Sequence, residues 1–299
     1  MITLKCRKCG AEMTIDLKGE VTCPYCGAHS YFSDAELRSY KQFRLNMLQY
    51  LSAAADAKAD AAQDNSLWAN SAEKSFVTAS GQNVLIHYLF YTEDDGVSTF
   101  TARDSVVQVF AKDSAYKADL MQRNLGMLHY PPAAIKNLSR SFPTVKTRLP
   151  LDDGSILLAV DKPENVYPLF AFGNIKPDHV AWIISRLENM CCVFAYSGIV
   201  HGGINPDTVY INPRTHEAFL YGSWWKARRM KEVLPGGQGQ DLRDLRSTAI
   251  KLSGQYLKAS PAAFQAFLHG APAGDAYADF AKWDEVIEKG FGGHKFVKW

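Results

Sequence analysis

The stretch from residue 197 to residue 225 constrains the fold of this chain more than any other. It begins where a helical pattern ends at Gly198, and it runs through a short loop into two β-rich segments, 209–211 and 218–221. The residues between these segments, Asn212-Pro213-Arg214-Thr215-His216, have the composition of a hairpin turn. We therefore expect a helix, a tight loop and a β-hairpin in immediate succession.

The segment 178–197, just before this stretch, predicts an amphipathic helix. Its apolar residues recur at helical spacing along one face, at Val180, Ile183, Ile184, Leu187, Cys191 and Phe194. This helix delivers the chain into the loop that contains His201. A second helix is predicted to start near Asp241, and a third covers about 279–288.

The loop itself resembles the catalytic loop of the protein kinase family. Gly198-Ile199-Val200-His201 is followed by Ile204, Pro206, Asp207 and Val209 in the family's frame, ahead of a strand pair. The resemblance is specific over 178–212, and it implies a two-lobed kinase-like domain. It also implies that His201 packs beneath the loop and that Pro206 shapes it, beside Asp207. An aspartate at the start of the next helix ties the loop down in this family, and Asp241 is the candidate for that role.

The catalytic residues of the family are absent from the positions that align with them. Those positions are Gln108 for the phosphate-binding lysine, Gln122 for its glutamate partner, Gly202 and Gly203 for the arginine and the proton-accepting aspartate, Thr208 for the metal-binding asparagine, and Tyr221 or Gly222 for the aspartate of Asp-Phe-Gly. Phosphoryl transfer requires positioned phosphates, metal ions and a base. We therefore expect no kinase activity, and neither ATP nor magnesium as a cofactor.

Residues 76–169 have a β-rich pattern with one helix. The expected elements are strands at 84–91, 97–101 and 106–110, a helix at 114–127, and a hairpin formed by 143–149 and 155–160. Asp94-Asp95-Gly96 and Asp152-Asp153-Gly154 supply the turns. This order of elements is similar to the small lobe of a protein kinase, with residues 161–167 as the hinge.

The six cysteines fall into two sets. Cys6, Cys9, Cys23 and Cys26 form two Cys-x-x-Cys pairs, each followed by glycine, and they suit tetrahedral zinc. The segment resembles a zinc ribbon, with strands 13–15 and 20–22 pairing between the two cysteine turns. A redox pair or a disulfide framework is the alternative, although one Cys-x-x-Cys would suffice for redox chemistry. Cys191 and Cys192 are adjacent on a predicted helix, so we expect no disulfide between them.

The segment between the ribbon and the kinase-like part predicts one long helix over 33–63, which begins with a Ser33/Glu36 capping box. Its apolar stripe is expected to pack within the chain, with oligomerisation as the alternative. The polar residues 63–74 read as a linker. The expected α+β organisation is a zinc ribbon (1–32), the helix and linker (33–75), a β-rich small lobe (76–170) and a helical large lobe (171–299).

Composition favours a cytoplasmic protein without a membrane partner. The net charge of +2 indicates no general affinity for nucleic acid or membranes. No apolar stretch reaches the length of a membrane span, and no signal peptide is visible.

The most consistent function is that of a catalytically inactive pseudokinase that binds protein partners as a scaffold or regulatory module. One alternative is a nucleotide-binding switch or an enzyme of altered chemistry, for which the polar candidates are Lys112, Asp161, His201 and Asp207. A second alternative is nucleic-acid association through the ribbon and the basic residues Lys226, Arg228, Arg229 and Lys231.

Overall fold

The computed structural model of the chain describes residues 2–5, 12–15, 20–27, 29–31, 67–130, 138–237, 239–295 and 297. The predicted long helix at 33–63 lies outside the described residues. The chain divides into two compact units, one formed by Met1–Ala118 and Thr144–Asn165, the other by Asp119–Pro143 and Val166–Trp299. The first is β-rich and the second is mainly helical, which confirms the α+β class. None of the described helices is long and apolar enough to cross a membrane.

The N-terminal segment contains two short antiparallel hairpins. Strand β1 (Ile2–Lys5) pairs with β2 (Glu12–Ile15), and β3 (Glu20–Thr22) pairs with β4 (His29–Tyr31). Among these residues the second and third strands do not pair with each other, so the predicted pairing of 13–15 with 20–22 is wrong. Strands β1 and β4 were not predicted. Strand β2 pairs with β1 across the first Cys-x-x-Cys segment, and β3 pairs with β4 across the second.

The main sheet of the first unit has five antiparallel strands in the order β10-β11-β9-β8-β7. These strands are β7 (Phe90–Asp94), β8 (Val97–Thr101), β9 (Ser105–Phe110), β10 (Val145–Pro150) and β11 (Ile156–Asp161). The predicted hairpins are present. Asp95 and Gly96 both have positive φ, 53° and 75°, which a two-residue turn between twisted strands requires.

A separate hairpin, β5 (Ala72–Val77) with β6 (Asn83–Tyr88), precedes that sheet. The single predicted strand at 84–91 is therefore two strands, interrupted at the buried Leu89, whose amide bonds to the Thr101 carbonyl. The predicted linker at 63–74 likewise contains the start of β5.

Aromatic contacts fill the core beneath these strands. The Phe100 ring lies 5.0 Å from Tyr88, 5.0 Å from Tyr91 and 5.8 Å from Phe76, measured between ring centroids. Such pairs add to the free energy gained from burying their surface. The buried cluster around Phe100 includes residues of β5, β6, β8, β9 and β11, so it joins the separate hairpin to the sheet.

Helix α1 (Tyr116–Leu125) contains the division between the two units, and the described part of the second unit contains four further α-helices. These are α2 (Pro177–Ser197), α3 (Gln240–Ser253), α4 (Ala262–His269) and α5 (Ala276–Val286). Gly198 ends α2 in the left-handed conformation, and its amide bonds to the carbonyls of Phe194 and Ala195. This is the glycine termination that the sequence predicted.

A small sheet in the second unit has the order β12-β14-β15. It consists of β12 (Tyr167–Pro168) and the predicted hairpin, β14 (Val209–Asn212) with β15 (Glu217–Leu220). Strand β13 (Ile199–Val200), at the entrance of the loop, pairs with β16 (Arg228–Arg229). The loop is thereby held between α2, the hairpin and the segment that follows it.

Candidate functional site

Asp241 fixes the backbone of the loop that contains His201. Its carboxylate accepts hydrogen bonds from the amide of His201, at 2.9 Å to Oδ2, and from the amide of Gly202, at 2.7 Å to Oδ1. Burial raises the pKa of Asp241 to about 6, against the opposing effect of these two hydrogen bonds. The structure thus brings together His201 and Asp241, which lie 40 positions apart in the sequence.

The His201 ring is a structural part of the loop. It is completely buried, with Phe194 and Trp224 at centroid distances of 5.7 Å and 4.7 Å, and Nε2 lies 3.1 Å from the Gly222 carbonyl oxygen. Burial lowers the pKa of His201 to about 3, so the ring is neutral. Because the carbonyl can only accept, the single ring proton is on Nε2. Within the described residues Nδ1 has no hydrogen-bond partner, so the polar contact of the ring there is the one to Gly222.

The position aligned with the catalytic base, Gly203, is closed to a side chain. A Cβ atom there would lie 2.6 Å from the Cβ of Ser223, closer than real Cβ contacts allow. The backbone of Gly203 is also engaged, because its carbonyl accepts a hydrogen bond of 2.7 Å from the Thr208 hydroxyl. Ser223 itself adopts a positive φ of 61°.

Gly222, one of the two residues aligned with the aspartate of Asp-Phe-Gly, is also closed to a side chain. A Cβ atom on Gly222 would lie 2.6 Å from Cγ2 of Thr208 and 3.0 Å from its Cα. Tyr221, the other candidate for this position, is buried and packs against Tyr210 and Phe219, with centroids at 5.2 Å and 5.7 Å. Both positions therefore serve packing, and neither carries a carboxylate.

The turn around Pro206 and Asp207 is organised by Asn205, which the sequence analysis did not single out. The Asn205 side chain accepts from the Asp207 amide at 2.8 Å and donates to the Gly203 carbonyl at 3.3 Å. The carbonyl of Pro206 accepts from the Phe170 amide at 3.1 Å. An asparagine before proline is a common turn signal, so the Asn205-Pro206 pair is the sequence feature that could have identified this residue.

The remaining predicted polar residues are divided between the units. Gln108 is completely buried in β9, opposite Thr99 and Leu158, and Gln122 is exposed on α1. Asp161 forms an exposed ion pair with Lys146 at 3.0 Å. Lys112 and Asp161 belong to the first unit, whereas His201 and Asp207 belong to the second.

The N-terminal cysteines are described only in part. Cys23 is buried and Cys26 is half-buried, in the turn between β3 and β4. The Gly27 amide bonds to the Cys23 carbonyl at 3.0 Å, and Gly27 has a φ of 66°. Cys6 and Cys9 lie outside the described residues, within which no cluster of three or more metal-binding side chains occurs. Cys191 and Cys192 on α2 are not joined by a disulfide.

Replacement of Asp241 by alanine is expected to lower the free energy of unfolding by about 2–4 kcal/mol, because two amides in or near the core lose their acceptor. Urea unfolding followed by tryptophan fluorescence would measure this. Glu232→Ala, an exposed acid in the same unit, is the control and should change stability little. Equal stability of the two variants would show that Asp241 does not hold the loop.

Comparison with known proteins gives structural neighbours only. No protein-family profile matches the chain, and no curated protein matches its sequence.

Similar solved structures are protein kinase domains. The BubR1 kinase domain has 10% identity and a TM-score of 0.48, and the match covers 68% of this chain and 80% of that domain. The ROP18 kinase domain has 13% identity and a TM-score of 0.47, with 86% and 95% covered. A rhoptry kinase from Toxoplasma gondii has 13% identity and a TM-score of 0.45, with 80% and 87% covered. Because every score is below 0.5, no residue role is transferred from these structures.

Proposed function

We propose that this chain is a catalytically inactive protein kinase-like protein that acts by binding other proteins. The observation that carries this proposal is the closure of both carboxylate positions, where Ser223 and Thr208 occupy the space that a side chain at Gly203 or Gly222 would need. The kinase-like assignment is supported by the chain's own elements. These are a five-stranded antiparallel sheet with a helix after its third strand, then a helix, a loop anchored by a buried aspartate, and a hairpin.

During phosphoryl transfer, negative charge develops on the oxygens of the transferred group. Metal ions and positioned donors stabilise that charge, and the loss of one such group typically costs several kcal/mol in the barrier. Here the base position and both candidate metal-ligand positions lack a carboxylate. The loop between His201 and Thr208 retains one carboxylate, Asp207. The loop therefore has the backbone arrangement expected of a kinase-like loop but lacks the carboxylates that phosphoryl transfer requires.

We further propose that the N-terminal hairpins form a structural zinc ribbon that adds a docking surface. Each hairpin carries one Cys-x-x-Cys segment between its strands, and the glycine after Cys26 adopts the tight conformation typical of a zinc knuckle. The thiolates of Cys6, Cys9, Cys23 and Cys26 would hold the metal, whose role is to supply folding free energy. Tyr25, between the two cysteines of the second pair, is 77% exposed. Exposed tyrosine is enriched at protein interfaces, which favours a protein partner for this surface.

Restoration of the base position is expected to damage the fold without producing activity. Gly203→Asp should destabilise the protein by about 1–3 kcal/mol, as overpacking of a core does. The double variant Gly203→Asp/Ser223→Gly removes the obstructing side chain and should recover part of that loss. Thermal unfolding measures stability, and phosphate release from ATP with Mg²⁺ or Mn²⁺ measures activity.

The unmodified protein and both variants are expected to show no phosphate release above the rate of a denatured sample. ATP turnover by the purified protein that disappears in Asp207→Asn would overturn the proposed inactivity. A Gly203→Asp variant as stable as the parent would show that the position is open.

A further inference from the structure

A cavity of about 650 Å³ lies beside the His201 loop, entirely within the second unit. One wall is the loop backbone from Gly202 to Asn205, and another is the face of α3. The segment after the β14–β15 hairpin supplies a third wall. A volume of this size is typical of small-molecule sites. Gly203 borders the cavity, whereas Gly222, Ser223 and Thr208 are not among its lining residues.

Three cationic side chains converge on this cavity from different parts of the chain. Lys226 and Arg228 come from the segment after the hairpin, and Lys251 comes from the last turns of α3. Arg229 follows Arg228 on β16 but does not line the cavity, as expected for successive residues of a strand. Arg228 and Lys251 form no ion pair within the described part of the chain.

Asp244 is the acidic residue in the lining, and one carboxylate against three cations leaves the lining positively charged. Gln240 Nε2 donates to its Oδ1 at 2.6 Å, and burial raises the pKa of the Asp244 carboxyl. The hydroxyl-bearing residues Ser247 and Thr248 also line the cavity. The lining therefore combines excess positive charge with hydrogen-bonding groups.

The backbone that carries Lys226 is held in place by a residue outside the cavity. Asn124, buried on α1, donates from Nδ2 to the carbonyls of Trp224 at 2.9 Å and of Ala227 at 2.8 Å. Two hydrogen bonds from one buried amide fix the segment on both sides of Lys226. The backbone position of Lys226 is therefore set by the fold.

We propose that this cavity binds a phosphate monoester, with Lys226, Arg228 and Lys251 as the groups that hold the phosphate. A compact dianion matches three cations around one cavity, and arginine with lysine is the usual recognition chemistry for phosphate. A nucleic acid strand is a poorer match because it needs cations spaced along a track. The phosphate belongs either to a free metabolite or to a phosphorylated side chain of a partner.

The test is calorimetric titration of the full chain, loaded with zinc, with inorganic phosphate and with O-phosphoserine at low ionic strength. We expect binding without Mg²⁺, and a loss of at least tenfold in affinity in Arg228→Gln/Lys251→Gln. Arg229→Gln is the matched control, since it removes an equally exposed charge from the same strand outside the cavity, and its affinity should stay within twofold of the parent. Ser247→Phe fills the cavity without changing its charge and should also abolish binding.

A phosphoserine peptide that binds more tightly than O-phosphoserine would place the phosphate on a partner protein, whereas equal affinities would indicate a metabolite. Absence of binding to both phosphate and O-phosphoserine would overturn the site. An equal loss in Arg229→Gln, or no effect of Ser247→Phe, would also overturn it, because either result indicates attraction by the whole surface. These readouts do not involve ATP turnover, so this site and the proposed inactivity can fail separately.

Discussion

Replacement of Cys23 by serine is expected to release one zinc ion and to unfold the N-terminal hairpins. The strands involved have only three or four residues each, too few to bury the apolar surface that a stable domain needs. Zinc binding to four thiolates contributes on the order of 10 kcal/mol to the folding of such small domains. Loss of one ligand should therefore remove most of the ribbon's stability, with little effect on the main unfolding transition of the chain.

Metal analysis of the purified protein, together with hydrogen exchange of residues 20–27, would measure both effects. Cys192→Ser is the matched control, because Cys192 is a half-buried cysteine on α2, and its zinc content should equal that of the parent. Zinc retained at full occupancy by Cys23→Ser would contradict the proposal. Reversible loss of two thiols per Cys-x-x-Cys pair on oxidation, without zinc, would favour the redox alternative instead.

The parts of the fold that the sequence predicted are those specified by local chemistry. Asp94-Asp95-Gly96 and Asp152-Asp153-Gly154 locate hairpins because few other sequences adopt positive φ so readily. Gly198 locates the end of α2 for the same reason. By contrast, Leu89 interrupts two strands that belong to different sheets. Nothing in an apolar run reveals such a break, since it depends on which distant strand each half pairs with.

The sequence predicted the residue that holds the candidate loop, Asp241, but not the obstruction of Gly203. Asp241 was found through the resemblance of the loop, and the structure places its carboxylate on the His201 and Gly202 amides. The obstruction of Gly203 by Ser223 depends on a contact between residues 20 positions apart. A glycine in a sequence shows that a side chain is missing, and only the packing shows that one would not fit.

Glu188 is a buried acid that the helical pattern of α2 gave no reason to notice. It is completely buried, next to the buried ion pair in which Arg246 Nη1 and Nη2 bond to Asp279 at 2.8 Å and 2.9 Å. Arg246 Nε is also engaged, by the Phe267 carbonyl at 3.0 Å. Burial raises the pKa of Glu188 to about 9, and repulsion from Asp279 and Asp284 adds to this while Arg246 opposes it. Neither carboxyl oxygen of Glu188 has a hydrogen-bond partner within the described residues, and a buried carboxyl without partners is more stable in its neutral, protonated form.

Replacement of Glu188 by glutamine is therefore expected to stabilise the protein at neutral pH. An ordinary glutamate has a pKa near 4.5, so above that pH the unfolded chain releases a proton that the folded chain keeps. The contribution of Glu188 to stability is complete below pH 4.5 and decreases as pH rises towards 9, by about 1.36 kcal/mol per unit. Glutamine keeps the shape of the side chain and has no titrating proton, so Glu188→Gln should gain roughly 3 kcal/mol at pH 7.

Urea unfolding at pH 5, 7 and 9 would give the free energy of unfolding of the parent and of Glu188→Gln, and the effect is the difference between their slopes against pH. The parent should lose stability across this range relative to Glu188→Gln, and the gap should widen from pH 5 to pH 9. Glu285→Gln, at an exposed position on the neighbouring α5, should parallel the parent at all three values. A constant gap would mean that Glu188 is ionised in the folded protein and paired with Arg246. A variant less stable than the parent at pH 7 would mean that the carboxyl makes a bond that an amide cannot replace.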